Sequence, residues 1–303
     1  VAALGLGLSP VFWSQSIIAE VYTLNTFLFL VLAYLGLRLC PPQPRPAEDA
    51  VSPRLLPWMA FAFGLSLSNH WPLMLLAAPA FAVLLWPRRT EMLKRLPLLL
   101  LLSALGLLPY AWMVLLSWAR VPISFNGPLE SIAEFWYFVS RAGYAEVDAA
   151  PAADWLDRLR FFPFLGAQLA LQFAFAGTAL AALGLAIQWR AIGRRVAWFL
   201  LVAFLMPTAV LLLLLGFEYN SVSKHMFHVY PLPAYAVGAL WMGLGCARVI
   251  ERLKLRPAYA AAGCTTLLAM IFALGTRTNL LSDYDWAARY AQAVMRTLPK
   301  DAV

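Results

Sequence analysis

The feature that most constrains this chain is a succession of apolar runs, many close to the length of a bilayer crossing, separated by short polar turns. A transmembrane α-helix needs about 20 predominantly apolar residues. Nine crossings fit: 1–12 (incomplete), 18–39, 55–68, 71–86, 97–119, 163–189, 196–217, 227–247 and 258–275. Only 13% of the residues are charged, against roughly a quarter in a soluble domain, so the surface cannot face mainly water. The expected fold is all-α, a polytopic transmembrane helix bundle over residues 1–275. Residues 55–86 fit one long tilted helix or an out-and-back pair. Basic residues on both flanks favour the pair, with Asn69 and His70 at the turn and Pro72 in the first turn of the returning helix, where a missing N–H costs least.

The formal net charge of +8 does not indicate nucleic acid, because the basic residues fall in short loops between spans. One set of loops holds Arg38, Arg45, Arg54, Arg88, Arg89, Lys94, Arg95, Arg190, Arg194, Arg195, Arg248, Arg252, Lys254 and Arg256, against the acids Glu48, Asp49, Glu91 and Glu251. The two sets alternate without a break across all nine spans. Lysine and arginine bias sets orientation, so this side is expected to be cytoplasmic. The other side is expected to be periplasmic or extracellular, as in a bacterial inner-membrane protein. Cys40, Cys246 and Cys264 have neither a zinc-ligand spacing nor a disulfide pattern.

Two outer segments carry helical patterns of their own. In the loop 120–162, Asn126-Gly127-Pro128 resembles a helix start and Gly143 a stop, with Ile132, Phe135, Trp136 and Val139 at helical spacing between them. Such a helix would lie along the membrane surface. Asp154 and Asp157 mark a second start. Residues 276–303 read as an amphipathic outer tail leading to a soluble domain beyond this sequence. Val1 lies inside an apolar run with no signal peptide before it, so the chain is expected to be the interior of a longer protein.

Polar residues able to do chemistry cluster at the outer turns. The first cluster runs from Trp13 to Asn25 and contains Gln15, Glu20, Tyr22 and Asn25. A carboxylate at the membrane edge usually marks a polar cavity, although helix-dipole stabilisation also accounts for Glu20. The second is Ser68-Asn69-His70-Trp71-Pro72. The third, Glu218 to Tyr230, holds Lys224, His225 and His228; the lysine and a helix start would suit a phosphate, while an interfacial anchoring belt is the plainer alternative. The histidine pair lacks the frame of a metal site, so a divalent metal is unsupported. The fourth holds Glu130, Glu134, Arg141 and Tyr144, with Asn279, Asp283 and Asp285 in the tail.

The run Phe12 to Asn25, Phe-Trp-Ser-Gln-Ser-Ile-Ile-Ala-Glu-Val-Tyr-Thr-Leu-Asn, resembles a hallmark of the protein O-mannosyltransferase-like family within the GT-C glycosyltransferase superfamily. The stretch Gly64 to His70 is similar to that family's next turn. Residues 127–144, ending Ser-Arg-Ala-Gly-Tyr, resemble its outer-loop helix, and 279–303 its lead-in to an outer domain. The resemblance implies a polyprenyl-phosphate-linked sugar as donor and a hydroxyl acceptor, on protein or glycan, at the non-cytoplasmic face. It implies inverting chemistry in which metal use varies between members. A carboxylate deprotonates the acceptor and cations stabilise the departing phosphate. Glu20 is the candidate base here, although the family's acidic first outer loop would precede Val1. Gln15, Tyr22, Asn25, Asn69, His70, Arg141, Tyr144, Lys224, His225 and His228 are the candidate binding residues. A transporter or flippase of a lipid-linked saccharide is the alternative, since it would use the same outward cavity.

Overall fold

The computed structural model describes residues 1–42, 54–120, 129–148, 152–280 and 285–297, with side chains at 146, 147, 286 and 287 excepted. The described residues form helices and connecting turns, with no strand among them. In chain order the helices are α1 (Ala2–Gly7), α2 (Pro10–Ser16), α3 (Val21–Leu39), α4 (Leu55–Leu85), α5 (Arg89–Lys94), α6 (Leu96–Gly106), α7 (Leu108–Trp118), α8 (Ile132–Val139), α9 (Ala145–Asp148), α10 (Trp155–Ala191), α11 (Arg194–Leu205), α12 (Leu211–Leu214), α13 (Ser221–Phe227), α14 (Leu232–Arg252), α15 (Pro257–Asn279) and α16 (Trp286–Thr297). Among the described residues, seven helical stretches are long and apolar enough to cross a membrane. The chain is an all-α polytopic bundle.

One of those stretches folds back on itself. The backbone leaves helical geometry at His70, in the middle of α4. A Cβ on Gly36, near the end of α3, would meet Leu84 at 2.7 Å and Met59 at 3.6 Å. In a straight helix those two residues would stand about 37 Å apart, so the limbs of α4 fold back on each other. The turn lies at the far end of α3, where the Asn69 amide donates to the Val21 carbonyl at 3.0 Å. The first limb is followed by α6 and α7: Ser103 donates to the Ala60 carbonyl at 3.0 Å and Tyr110 to Leu67 at 3.2 Å. The returning limb packs inward, where Phe81 meets Phe29 of α3 and Phe199 of α11.

The first expected crossing, 1–12, is not a continuous helix. It breaks after Gly7 and restarts with Pro10 in the first turn of α2, because proline cannot donate to the preceding turn. The expected helix 227–247 likewise divides at Pro231 into α13 and α14. The span expected at 163–189 belongs to a longer helix, α10, interrupted at Ala174, whose φ of 54° and ψ of 169° are not helical. Its first limb opens with a reciprocal Asp154–Asp157 capping box and packs Phe161 against Phe217, Tyr219 and Phe227. Its second limb runs against α14 so closely that a Cβ on Gly184 would lie 1.9 Å from the Trp241 carbonyl oxygen.

The surface helix α8 starts later than the sequence pattern suggests. The expected start at Asn126-Gly127-Pro128 lies outside the described residues. The observed cap is Ser131, paired with Glu134 in a capping box, which satisfies amides that the first turn leaves without partners. The helix stops at Val139, short of Gly143, and Arg141 follows with a left-handed φ of 60°. Ile132 and Trp136 are 88% and 67% exposed, which suits a helix with one face toward lipid.

At the end of the bundle opposite the His70 turn, arginines cap α3. Arg195 donates to the carbonyls of Cys40 and Pro41 at 2.9 and 2.6 Å, and Arg88 reaches the Leu39 carbonyl at 3.5 Å. These carbonyls lack helical partners, and cations there also complement the helix dipole.

Candidate functional site

The helix breaks gather polar residues around one cavity of about 1240 Å³. It is roomier than the usual 300–1,000 Å³ of a small-molecule site. Its walls come from α2 and the Ile17–Glu20 connection, the start of α3, the turn of α4, α7, the α8–α9 segment, the first limb of α10, α13 and the end of α15. Of the candidate catalytic and binding residues, Gln15, Glu20, Tyr22, Asn69, His70, Arg141, Tyr144, His225 and His228 line it.

Two others do not. Asn25 points into the helix packing below the cavity, 1% exposed, and its carbonyl oxygen has no hydrogen-bond partner. Lys224 sits with Nζ 3.7 Å from the centre of the Tyr219 ring, a cation–π contact. It is not among the residues that surround the cavity. The helix α13 begins at Asn220, whose side chain accepts the Ser223 N–H at 2.8 Å, so the phosphate-binding helix start expected there is already satisfied in part by its own cap.

Tyr22 is the hub of one wall. Its ring lies 5.7 Å from that of His70 and 5.6 Å from that of Tyr230. Arg141 also lines the cavity, with its guanidinium 4.5 Å above the Tyr144 ring and 3.9 Å from the Asp148 carboxylate. The left-handed backbone at Arg141 and the indole N–H of Trp71, donating to the Val139 carbonyl at 2.8 Å, hold the surface segment against the α4 turn. Burial raises the Asp148 carboxyl above its ordinary value, and Arg141 partly opposes that shift. Burial pushes the His228 imidazole below its usual range, and its Nδ1 meets the His225 carbonyl. Two backbone amides, those of Glu130 and Ser131, hold the Glu134 carboxyl below its ordinary range. That carboxylate is committed to its cap.

Residues 1–94 match a family model described as the protein O-mannosyl-transferase TMEM260 N-terminal domain. Over those residues the chain is similar to that O-mannosyltransferase domain. Searches of curated proteins and of solved structures found no match. The matched segment covers α1 to α5 and brings Gln15, Glu20, Tyr22, Asn69 and His70 to the cavity. The remaining walls come from outside it.

Several lining residues escaped the sequence reading. Arg277 stands at the end of α15 with no ion pair or hydrogen bond among the described residues. Its only sequence signal is a lone arginine at the outer end of a span. Gln168 and Gln172 lie one turn apart beside the Ala174 break, and the Gln172 side chain accepts the Val11 N–H at 2.9 Å. Glutamines inside an apolar run are the signal that could have found them. Among the described residues, no three His, Cys, Asp or Glu side chains gather closely enough to hold a metal ion.

Proposed function

We propose that the protein is a glycosyltransferase that moves a sugar, mannose by the family's name, from a polyprenyl-phosphate-linked donor to a hydroxyl acceptor on protein at the non-cytoplasmic face. One observation carries this reading: residues inside the O-mannosyltransferase match and residues far beyond it, Arg141, Tyr144, His225, His228 and Arg277, surround a single cavity. The basic loops at the opposite end support the orientation.

In the proposed reaction the acceptor hydroxyl loses its proton to a carboxylate. Its oxygen then bonds to the sugar's anomeric carbon as the carbon–oxygen bond to phosphate breaks, and the phosphate departs with the electron pair. Glu20, exposed on the cavity wall, is the carboxylate this chain offers. Arg141 and Arg277 are positioned to balance the charge that develops on the phosphate. Lys224 is released from that role, since its ammonium rests on Tyr219.

The test is transfer by the protein in nanodiscs, from a polyprenyl-phosphate mannose donor to a serine- and threonine-containing peptide. Arg141→Ala is expected to lower kcat/KM by about 100-fold, while Lys224→Ala changes it by less than about 3-fold. Absence of transfer would sink the proposal. Movement of the intact donor across the bilayer without transfer would support a flippase instead.

A further inference from the structure

Arg141 lines the cavity. Among the described residues its guanidinium is held by two contacts, the Tyr144 ring at 4.5 Å and the Asp148 carboxylate at 3.9 Å. The second is an ion pair beyond hydrogen-bond length. None of the guanidinium nitrogens is among the buried atoms left without a partner, so they are accessible, and their N–H groups are open to a ligand. Asp148 itself is not among the residues around the cavity. It ends α9 and is fixed from elsewhere, its main-chain carbonyl accepting the Gly216 N–H at 2.8 Å from the turn after α12. The side chains of the pair are 25% and 34% exposed, so water and salt screen their charges only in part.

The proposed transfer moves negative charge toward this pair. The donor is a phosphate diester with one charge. As the acceptor oxygen bonds to the anomeric carbon, the phosphate leaves with the electron pair and the hydroxyl proton goes to Glu20. Glu20 gives up one negative charge and the lipid phosphate, now a monoester, gains it. A lone guanidinium would therefore hold the product more strongly than the donor, by attraction to about two charges in place of one. Release of product sets the turnover of many enzymes. A fixed carboxylate beside the guanidinium offsets that gain, because its repulsion grows with the same charge.

We propose that Asp148 is a positioning residue for product release, a fixed counter-charge that weakens the hold of Arg141 on the phosphate monoester more than on the diester. This rests on the transferase reading above, in which Arg141 faces the phosphate. A carboxylate that only oriented Arg141 would support both lipids alike.

The experiment compares binding of two lipids to the protein in nanodiscs at pH 8: polyprenyl-phosphate mannose, with one charge, and polyprenyl phosphate, with about two. Asp148→Asn keeps the size of the side chain and removes its charge. It is expected to bind the diester about 3-fold and the monoester about 10-fold more tightly than wild type, since the lost repulsion scales with the charge of the ligand. The monoester-to-diester affinity ratio then rises by about 3-fold, which a loss of structure alone would not produce. Asp148→Ser, a second neutral variant, should raise the ratio in the same way without relying on the packing of asparagine. Asp148→Glu restores the charge and should keep the wild-type ratio. An unchanged ratio in the neutral variants, with both lipids bound more weakly or both more tightly, overturns the inference and leaves the transferase reading standing. A raised ratio in Asp148→Glu overturns it as well. If wild type binds neither lipid, the donor reading itself fails, and the inference with it.

Discussion

The helices α4 and α10 are each interrupted at a single residue, and the two interruptions differ in kind. At His70 the backbone takes φ −156° and ψ 81°, extended geometry open to any residue, and the chain reverses. At Ala174 it takes φ 54° and ψ 169°, in or beside a region held almost only by glycine, where other residues cost about 1–3 kcal/mol. There the chain bends without reversing. Thr178 then donates to the Ala174 carbonyl at 2.9 Å. Both breaks feed the cavity, Asn69 and His70 from one and Gln168, Leu171 and Gln172 from the other. Polar groups can face a cavity within an apolar bundle where a helix stops satisfying its own backbone. One break does this at little strain and the other under strain.

The largest expected effect tests what the two broken helices share. Each holds one limb in backbone contact with a neighbour: a Cβ on Gly64 would lie 1.9 Å from the Ser103 carbonyl oxygen, and one on Gly184 equally close to that of Trp241. Small residues permit such approaches in membrane bundles. Gly64→Ala and Gly184→Ala should each destabilise by about 3 kcal/mol, the upper part of the usual range for overpacking. Gly263→Ala, with nothing within 4 Å of its Cβ, should be neutral or stabilising by up to about 1 kcal/mol. Thermal unfolding in detergent measures all three. Similar Tm values would mean that the limbs can slide apart, and the fixed cavity walls would go with them.

The first break was legible in the sequence and the second was not, for physical reasons. Basic residues flank 55–86 on both sides, and Ser68-Asn69-His70-Trp71-Pro72 places polar groups and a proline where two apolar runs meet. A turn between helices must supply polar groups for freed amides, so its composition reveals it. Around Ala174 the sequence reads Leu-Gln-Phe-Ala-Phe-Ala-Gly, with no proline and with the nearest glycine three residues on. That break is imposed by packing: Phe173 is wedged against Gly238 of α14 on one side of it and Gly177 meets Met242 on the other. The same contrast governs the cavity. Gln15, Glu20, Tyr22, Asn69 and His70 sit in turns whose polarity stands out. Arg277 depends on which way the end of α15 faces, and the exclusion of Lys224 on the nearness of Tyr219, which only tertiary structure sets.

A pair of glycine substitutions separates strain from turn geometry. Ala174→Gly should stabilise by about 1 kcal/mol, since glycine adopts this backbone without the penalty and loses only one methyl group of packing. His70→Gly should destabilise by about 1 kcal/mol, because an extended residue gains nothing from glycine and its unfolded chain is freer. Opposite signs in the two Tm shifts would establish that the breaks differ as described. A fall in both would place Ala174 in an ordinary, unstrained bend.

The smallest effect concerns what each break anchors. Beside the first, Trp71 donates to the Val139 carbonyl and so fastens α8, and with it Arg141 and Tyr144, to the cavity. Beside the second, Thr178 bonds only within its own helix. Trp71→Phe and Thr178→Val each remove a single neutral hydrogen bond, about 1 kcal/mol, so global stability alone will scarcely distinguish them. Local opening will. The Trp71 bond joins two segments far apart in sequence, and its loss should speed amide hydrogen exchange across 132–144 by up to about 5-fold for 1 kcal/mol of local stability. Thr178→Val should leave exchange in that segment unchanged, because its lost bond is contained within α10. Equal exchange in the two variants would mean that α8 is held by the membrane surface and not by the α4 turn. Arg141 would then reach the cavity without help from the break at His70.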